Sequence, residues 1–401
     1  MLRLKEDSWT HNICSFWEQI NILSNLQENE KDVLLNYFHG WEENIHSFKF
    51  SSPEVTIMSM DHFEDKTSLA LIPLIVSTGV IAPKILFPEI TTKNPLLQQL
   101  KVIPRISCSL SKRKYLAQLH EVGGAFYRLP RKILSLLKKS FSTLDEQELL
   151  LSNSLMMVFF SGVKNIVWHL KVGKTSFLKT HQDANNFIKS ISSICSLLRV
   201  NNSFILTDGD QLSGRAFGSS LELAESIHVL KGKGPFDLIK LILELGAEML
   251  ILSQRIANKP EAMILLKNSI LNGKALEKLE EIIRAQNGNH RIVKHDNMLL
   301  PEKKTIKIPS LKDGYIHHLI LEKIKKLKNK LEHIDNTSGF YLLKKNGDHV
   351  HQGETLAEVL INSKIEIAWL PKNIWNCFVI SKEPPGFFPL IIEKIVKMPR
   401  F

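Results

Sequence analysis

Gly173, Lys174 and Thr175 have the residue types of a phosphate-gripping loop, in which glycine amides and a lysine surround an anion. That loop needs a further glycine five residues before Gly173. Trp168 stands there, so the spacing does not build it. Asp208 and Asp210 follow an apolar run and precede Gly214 and Gly218. Two carboxylates at a strand end suit a cation, or else a glycine-permitted tight turn whose aspartate caps the next helix; the turn is the reading preferred here. His349 and His351 flank Val350 and would share one face of a strand. Without a third ligand they read as a polar sheet face, and His317 with His318 is no better placed. Cys14, Cys108, Cys195 and Cys377 are far apart with no CxxC, which argues against a zinc site or disulfide framework and suits a reducing compartment. No Ser/His/Asp or Cys/His set can be assigned from order alone, and no metal or cofactor is expected.

Several elements would have to position these residues. The 401 residues exceed one ordinary core, so two or three domains are expected. Apolar residues are 44% and charged residues 23%, a globular balance that excludes a disordered or fibrous chain. The net charge of +11 allows an anionic partner without demanding one. The start, MLRLKEDSWTHN, turns polar too early for a secretory signal, and no apolar run is long enough to span a bilayer; a cytoplasmic location is expected.

Residues 1 to about 50 read as helical, with Phe16, Ile20, Ile22 and Leu26 near helical spacing. A core helix is expected over 69–79 and a strand over 80–87. Helices follow across 130–162, then a strand over 166–172, a helix over 184–198, a strand over 203–206 and a buried helix over 238–256. This alternation predicts an α/β fold with a mainly parallel sheet. From Thr305 short glycine-punctuated segments predict a β-rich tail module with a basic helix over 319–331. The lysine run 323–330 reads as the solvated face of that helix rather than an anion patch.

Three stretches become recognisable together: 65–69 (DKTSL), 170–173 (LKVG) with 177–180 (FLKT), and 207–216 (TDGDQLSGRA) through Gly218 and Glu222. With 230–237 (LKGKGPFD), 245–250 (LGAEML) and the tail's Gly314, Gly339, Gly347 and Gly353, the chain resembles the pyrimidine-nucleoside phosphorylase family over roughly residues 50 to 390. The resemblance implies a small α-helical domain (1–50 and 130–162), a larger α/β domain (51–129 and 163–300) and a C-terminal α+β module (301–401). It also implies a cleft between the first two, a homodimer formed through the helical domain, and cleavage of a pyrimidine nucleoside by phosphate to base and pentose 1-phosphate.

The same resemblance locates the departures. The family's KHSTGG loop falls on 57–62 (IMSMDH): Ser59 keeps the hydroxyl and so does Ser68, but the lysine is Ile57 and the glycines are Asp61 and His62. Asp61 and Glu64 add negative charge where phosphate would sit. The family's SGRGLGHTGGT falls on 86–96 (LFPEITTKNPL), so Leu86 and Leu96 replace two hydroxyls, and Lys93 reads as a solvated lysine. At the base, the family's arginine, serine and lysine fall on Lys138, Asn153 and Met157, while Phe177 keeps an apolar wall. Where some members hold a monovalent cation, the matching positions include Lys66, Ser213, Ala216 and Glu225. A Lys66–Glu225 pair is expected in place of the ion.

These departures predict a catalytically impaired phosphorylase-family protein that binds a pyrimidine nucleoside or base, if any ligand, and phosphate poorly. An active phosphorylase with a remodelled site, gripping its acceptor through Lys93, Lys138 and Lys174, is the alternative. A nucleic-acid surface on 323–330 with Lys112, Arg113 and Lys114 ranks third, because aromatic residues do not interleave there.

Overall fold

The computed structural model describes residues 26–47, 52–60, 65–86, 94–299, 303–362, 368–386 and 389–397. The expectations placed on Phe16, Ile20, Ile22 and Cys14, and on Asp61, His62, Glu64 and Lys93, lie outside these residues.

After a helix at Glu28–Ser47, strand β1 (Thr56–Met60) leads into the helix Lys66–Val76, then β2 (Ala82–Ile85). Helices Pro95–Lys101 and Lys112–Glu121 precede β3 (Gly124–Tyr127), and helices Arg131–Ser140 and Glu146–Ser161 precede β4 (Asn165–Val172). Helix His181–Leu197 connects β4 to β5 (Asn201–Asp208). Its start is set by a capping box, in which Thr180 Oγ1 accepts from the Asp183 N–H and the Asp183 carboxylate accepts from the Thr180 N–H. A short β6 (Ala216–Phe217) is followed by helices Ser219–Leu230, Phe236–Leu252, Lys259–Leu271 and Lys274–Ala285.

Strands β1, β4 and β5 are parallel neighbours in that order, and β2 pairs in parallel with β3. Their side chains alternate as a two-sided buried sheet requires. Ile57, Val167 and Ile205 enter an apolar cluster with helices Lys66–Val76, Ser219–Leu230 and Phe236–Leu252. Met58, Trp168 and Phe204 enter the opposite cluster with helices Glu146–Ser161 and His181–Leu197. Runs of β-branched and aromatic residues between helical segments thus produce the α/β fold with a mainly parallel sheet.

The tail adds β7 (Lys303–Pro309), β8 (Gly314–Leu319), helix Leu321–Ile334, β9 (Gly339–Leu342), β10 (His349–Val350), β11 (Thr355–Asn362), helix Leu370–Trp375, β12 (Phe378–Ser381) and β13 (Ile391–Lys397). Two antiparallel sheets result, ordered β6-β9-β11-β7 and β10-β8-β12, around a third apolar cluster. Two strands cross the division expected at residue 301. β6 leaves the glycine turn to pair with β9, and β13 returns to the edge of the parallel sheet, antiparallel to β5.

The lysine run is not uniformly solvated. Lys328 turns inward at 6% exposure to pair with Glu222, Lys330 lies 3.6 Å over the Trp369 ring, and Lys323 donates to the Asn376 carbonyl. Among the described residues, no helix is long and apolar enough to cross a membrane. Cys108, Cys195 and Cys377 are buried, and burial pushes each thiol up to about 12. Thiolate is the reactive form, so these three stay unalkylated by iodoacetamide at pH 8 in the native protein and react in urea; peptide mass spectrometry checks this.

Candidate functional site

The helix Lys66–Val76 starts where Asp65 takes its N-cap, with Oδ1 accepting the Ser68 N–H at 3.1 Å and the Thr67 hydroxyl at 3.2 Å. The other carboxylate oxygen lies 3.5 Å from Lys84 Nζ, and Lys84 donates to the Ile57 carbonyl at 3.1 Å. Lys84 is buried, and that burial pushes its ammonium below the usual lysine range against the attraction of Asp65. Ser59 is half-buried at the end of β1, opposite His169. Ser68 is fully buried, and its Oγ has no hydrogen-bond partner among the described residues.

Around these polar groups the chain is apolar. Ile57, Leu86 and Leu96, at 0%, 1% and 1% exposure, all pack into one cluster. These are the positions where the resemblance puts a lysine and two hydroxyls.

Lys66 and Glu225 meet. The ammonium lies 3.1 Å from Glu225 Oε2, donates to the Ser213 carbonyl at 3.0 Å and sits 4.4 Å over the Phe217 ring. Glu225 Oε1 accepts the Arg215 and Ala216 amides at 2.7 and 2.9 Å. Burial pushes the Glu225 carboxyl up, and Lys66 is the largest influence holding it down. Gly214 makes this approach feasible: its φ is +71°, and a Cβ there would lie 2.3 Å from Glu225 Oε2.

On the base side the expected residues come from two helices and the loop after β4. Lys138 is exposed on the helix Arg131–Ser140. Asn153 and Met157 are buried in the helix Glu146–Ser161, and Asn153 Oδ1 has no partner among the described residues. Phe177 is half-buried and borders a pocket of about 280 Å³ with Leu150, Leu151 and Phe187. Neither Lys138 nor Asn153 lines it.

The aspartates after β5 shape a turn, but neither caps the next helix, whose N-cap is Gly218. Asp208 instead accepts from the Asp210 N–H and from Gln211 Nε2, and Asp210 accepts the Lys174 N–H at 2.9 Å. The carboxylates therefore clamp the loops after β4 and β5 together. His349 and His351 are exposed with rings 4.7 Å apart, and His351 contacts Asp313. No group of three or more potential metal ligands occurs among the described residues.

Sequence reasoning missed Lys84 and its contact with Asp65. The signal was present: a single lysine inside the apolar strand APKI must find a buried carboxylate or carbonyl.

Pyrimidine-nucleoside phosphorylase of Staphylococcus aureus (strain USA300) is 30% identical over 346 residues, covering 83% of this chain and 79% of that protein. The protein of the same name from Staphylococcus epidermidis (strain ATCC 12228 / FDA PCI 1200) is 29% identical with the same coverage. The chain belongs to the pyrimidine-nucleoside phosphorylase family. No family model matches it. Among solved structures, anthranilate phosphoribosyltransferase (TrpD) from Thermus thermophilus superposes with a TM-score of 0.48 at 11% identity, over 59% of this chain and 78% of that one.

Proposed function

We propose that this chain is a phosphorylase-family scaffold in which phosphorolysis of pyrimidine nucleosides is severely impaired. One observation carries the reading: Ile57, Leu86 and Leu96 lie buried in a single apolar cluster, and the resemblance puts three phosphate donors at these positions. Of the neighbouring donors, Asp65 takes the Ser68 amide and the Thr67 hydroxyl and lies beside Lys84, which leaves the Ser68 hydroxyl as a surviving donor without a described partner.

Attack at the anomeric carbon depends on a held, oriented phosphate. Each lost hydrogen bond to a charged group costs about 1.5–3 kcal/mol, so three such losses slow the reaction by roughly 10³–10⁶-fold. Free base released from thymidine, uridine and deoxyuridine at high phosphate is expected to accumulate at least about a thousandfold more slowly than with an ordinary nucleoside phosphorylase. Turnover at an ordinary enzymatic rate overturns the reading.

Within this proposal the Lys66 ammonium takes the place of a monovalent cation, Phe177 offers the surviving apolar wall to a pyrimidine, and two copies associate through the helical segments. A second reading is favoured by Lys84, whose buried ammonium reaches the Ile57 carbonyl and so supplies a cation close to the missing lysine. In that case the residual phosphorolysis depends on Lys84 and Lys84→Met removes it; under the first reading the variant leaves the residual slow rate unchanged.

A further inference from the structure

Beyond the inherited site, the carboxyl ends of β4 and β5 meet the helix Leu321–Ile334 across a cavity of about 480 Å³. Lys171, Lys174 and Lys179 line one wall, Lys325 and Lys326 the other, and Glu322 is the one carboxylate among the lining residues. A cavity of this volume is about one Debye length across, ~8–10 Å, so these charges act on one another and on anything inside. None of Lys174, Lys179, Lys325 and Lys326 forms an ion pair with a described residue.

The lysines come from segments about 150 residues apart in sequence, so helical periodicity does not explain their convergence. The wall that carries three of them is also built tightly. Asp210 holds the Lys174 amide, and the Ser176 N–H donates to the Gly173 carbonyl at 3.0 Å. Gly209 lies so close that a Cβ there would stand 2.1 Å from Ser176 Oγ. The hydroxyls of Thr175 and Ser176 border the same space. Ligands of open α/β sheets bind outside the carboxyl ends of the strands, and this cleft lies there.

We propose that the cleft binds a polyphosphate anion, clamping the C-terminal helix to the sheet edge. Lys174, Lys179, Lys325 and Lys326 against one glutamate match a chain of two or three phosphates, and lysine serves phosphate as a point charge. The volume also admits a nucleoside attached to that chain. The proposal does not need the catalytic reading above, although Lys179 also lines the pocket beside Phe177.

The test is calorimetric titration of the full chain with tripolyphosphate, uridine triphosphate and orthophosphate at matched ionic strength. It compares the parent with Lys174→Ala and with Lys325→Ala/Lys326→Ala, which change opposite walls. Arg113→Ala/Lys114→Ala, an equal loss of charge on another surface, is the control. Triphosphates are expected to bind at least tenfold more tightly than orthophosphate. Each cleft variant is expected to weaken them at least tenfold, and the control less than twofold. Equal affinity for tripolyphosphate and the nucleotide assigns the phosphate chain alone, tighter nucleotide binding assigns a nucleoside as well, and both support the site. The proposal fails if triphosphates do not bind, if orthophosphate binds as tightly as they do, or if the control weakens them as much as the cleft variants.

Discussion

Lys66→Met is expected to lower the unfolding free energy by about 3–5 kcal/mol, read from urea denaturation at pH 7. The variant keeps the bulk of the side chain and removes its charge, leaving the Glu225 carboxylate buried at 3% exposure with two amides as its described donors. Removing one member of a buried pair costs far more than the pair contributes against an apolar substitute. Lys66→Met/Glu225→Gln is therefore expected to recover more than half of the loss.

The sign of the pH dependence follows from the same carboxyl. Burial holds its folded value above the ordinary one, and without Lys66 it rises further. Between the unfolded and folded values the native state binds more protons, so stability falls as pH rises through that window. The deficit of Lys66→Met is thus largest near neutrality and shrinks as pH is lowered toward ~4.3. Lys66→Ala additionally opens space beside the Ser213 carbonyl and Glu225 oxygens. Millimolar potassium is expected to raise the melting temperature of that variant and not of the parent. Equal response of both proteins contradicts the view that the ammonium stands in for an ion.

Glu222→Ala carries the second large expected effect, again about 3–5 kcal/mol. Glu222 is fully buried and accepts from Lys328 Nζ at 2.5 Å, Gln99 Nε2 at 2.9 Å and the Gly218 amide at 3.3 Å. It joins helices Ser219–Leu230, Pro95–Lys101 and Leu321–Ile334, and its loss takes away the carboxylate that the buried Lys328 ammonium meets. The tail is expected to loosen first. Hydrogen exchange over 321–334 should accelerate at denaturant concentrations that leave β4 and β5 protected. Uniform acceleration across the chain contradicts this role.

Local chemistry made much of the fold legible. The alternation of β4, helix His181–Leu197 and β5 follows from β-branched runs and the Thr180 cap, and the resemblance placed Lys66 and Glu225 in one family site. Long-range pairing was not legible. β13 is a partly exposed edge strand with charged residues among its isoleucines, which is the composition of a solvated tail, and it is ordered by pairing with β5 and by the meeting of Lys394 with Glu248. β3 is too short for a period to register. The inward turn of Lys328 depends on Glu222 more than a hundred residues away, and the convergence of Lys174 with Lys325 depends on how the tail folds back. Fixed spacing within one element can be read from sequence; charges that meet across elements cannot.

The central claim is that apolar packing at Ile57, Leu86 and Leu96 has displaced the phosphate donors and with them the chemistry. A single-turnover experiment tests it most directly: excess protein, labelled thymidine, high phosphate and quenched time points. Release of thymine with a half-life of minutes to a day is the predicted result, about 10³–10⁶-fold below an ordinary turnover of ~10 s⁻¹. Release complete within a second would contradict it.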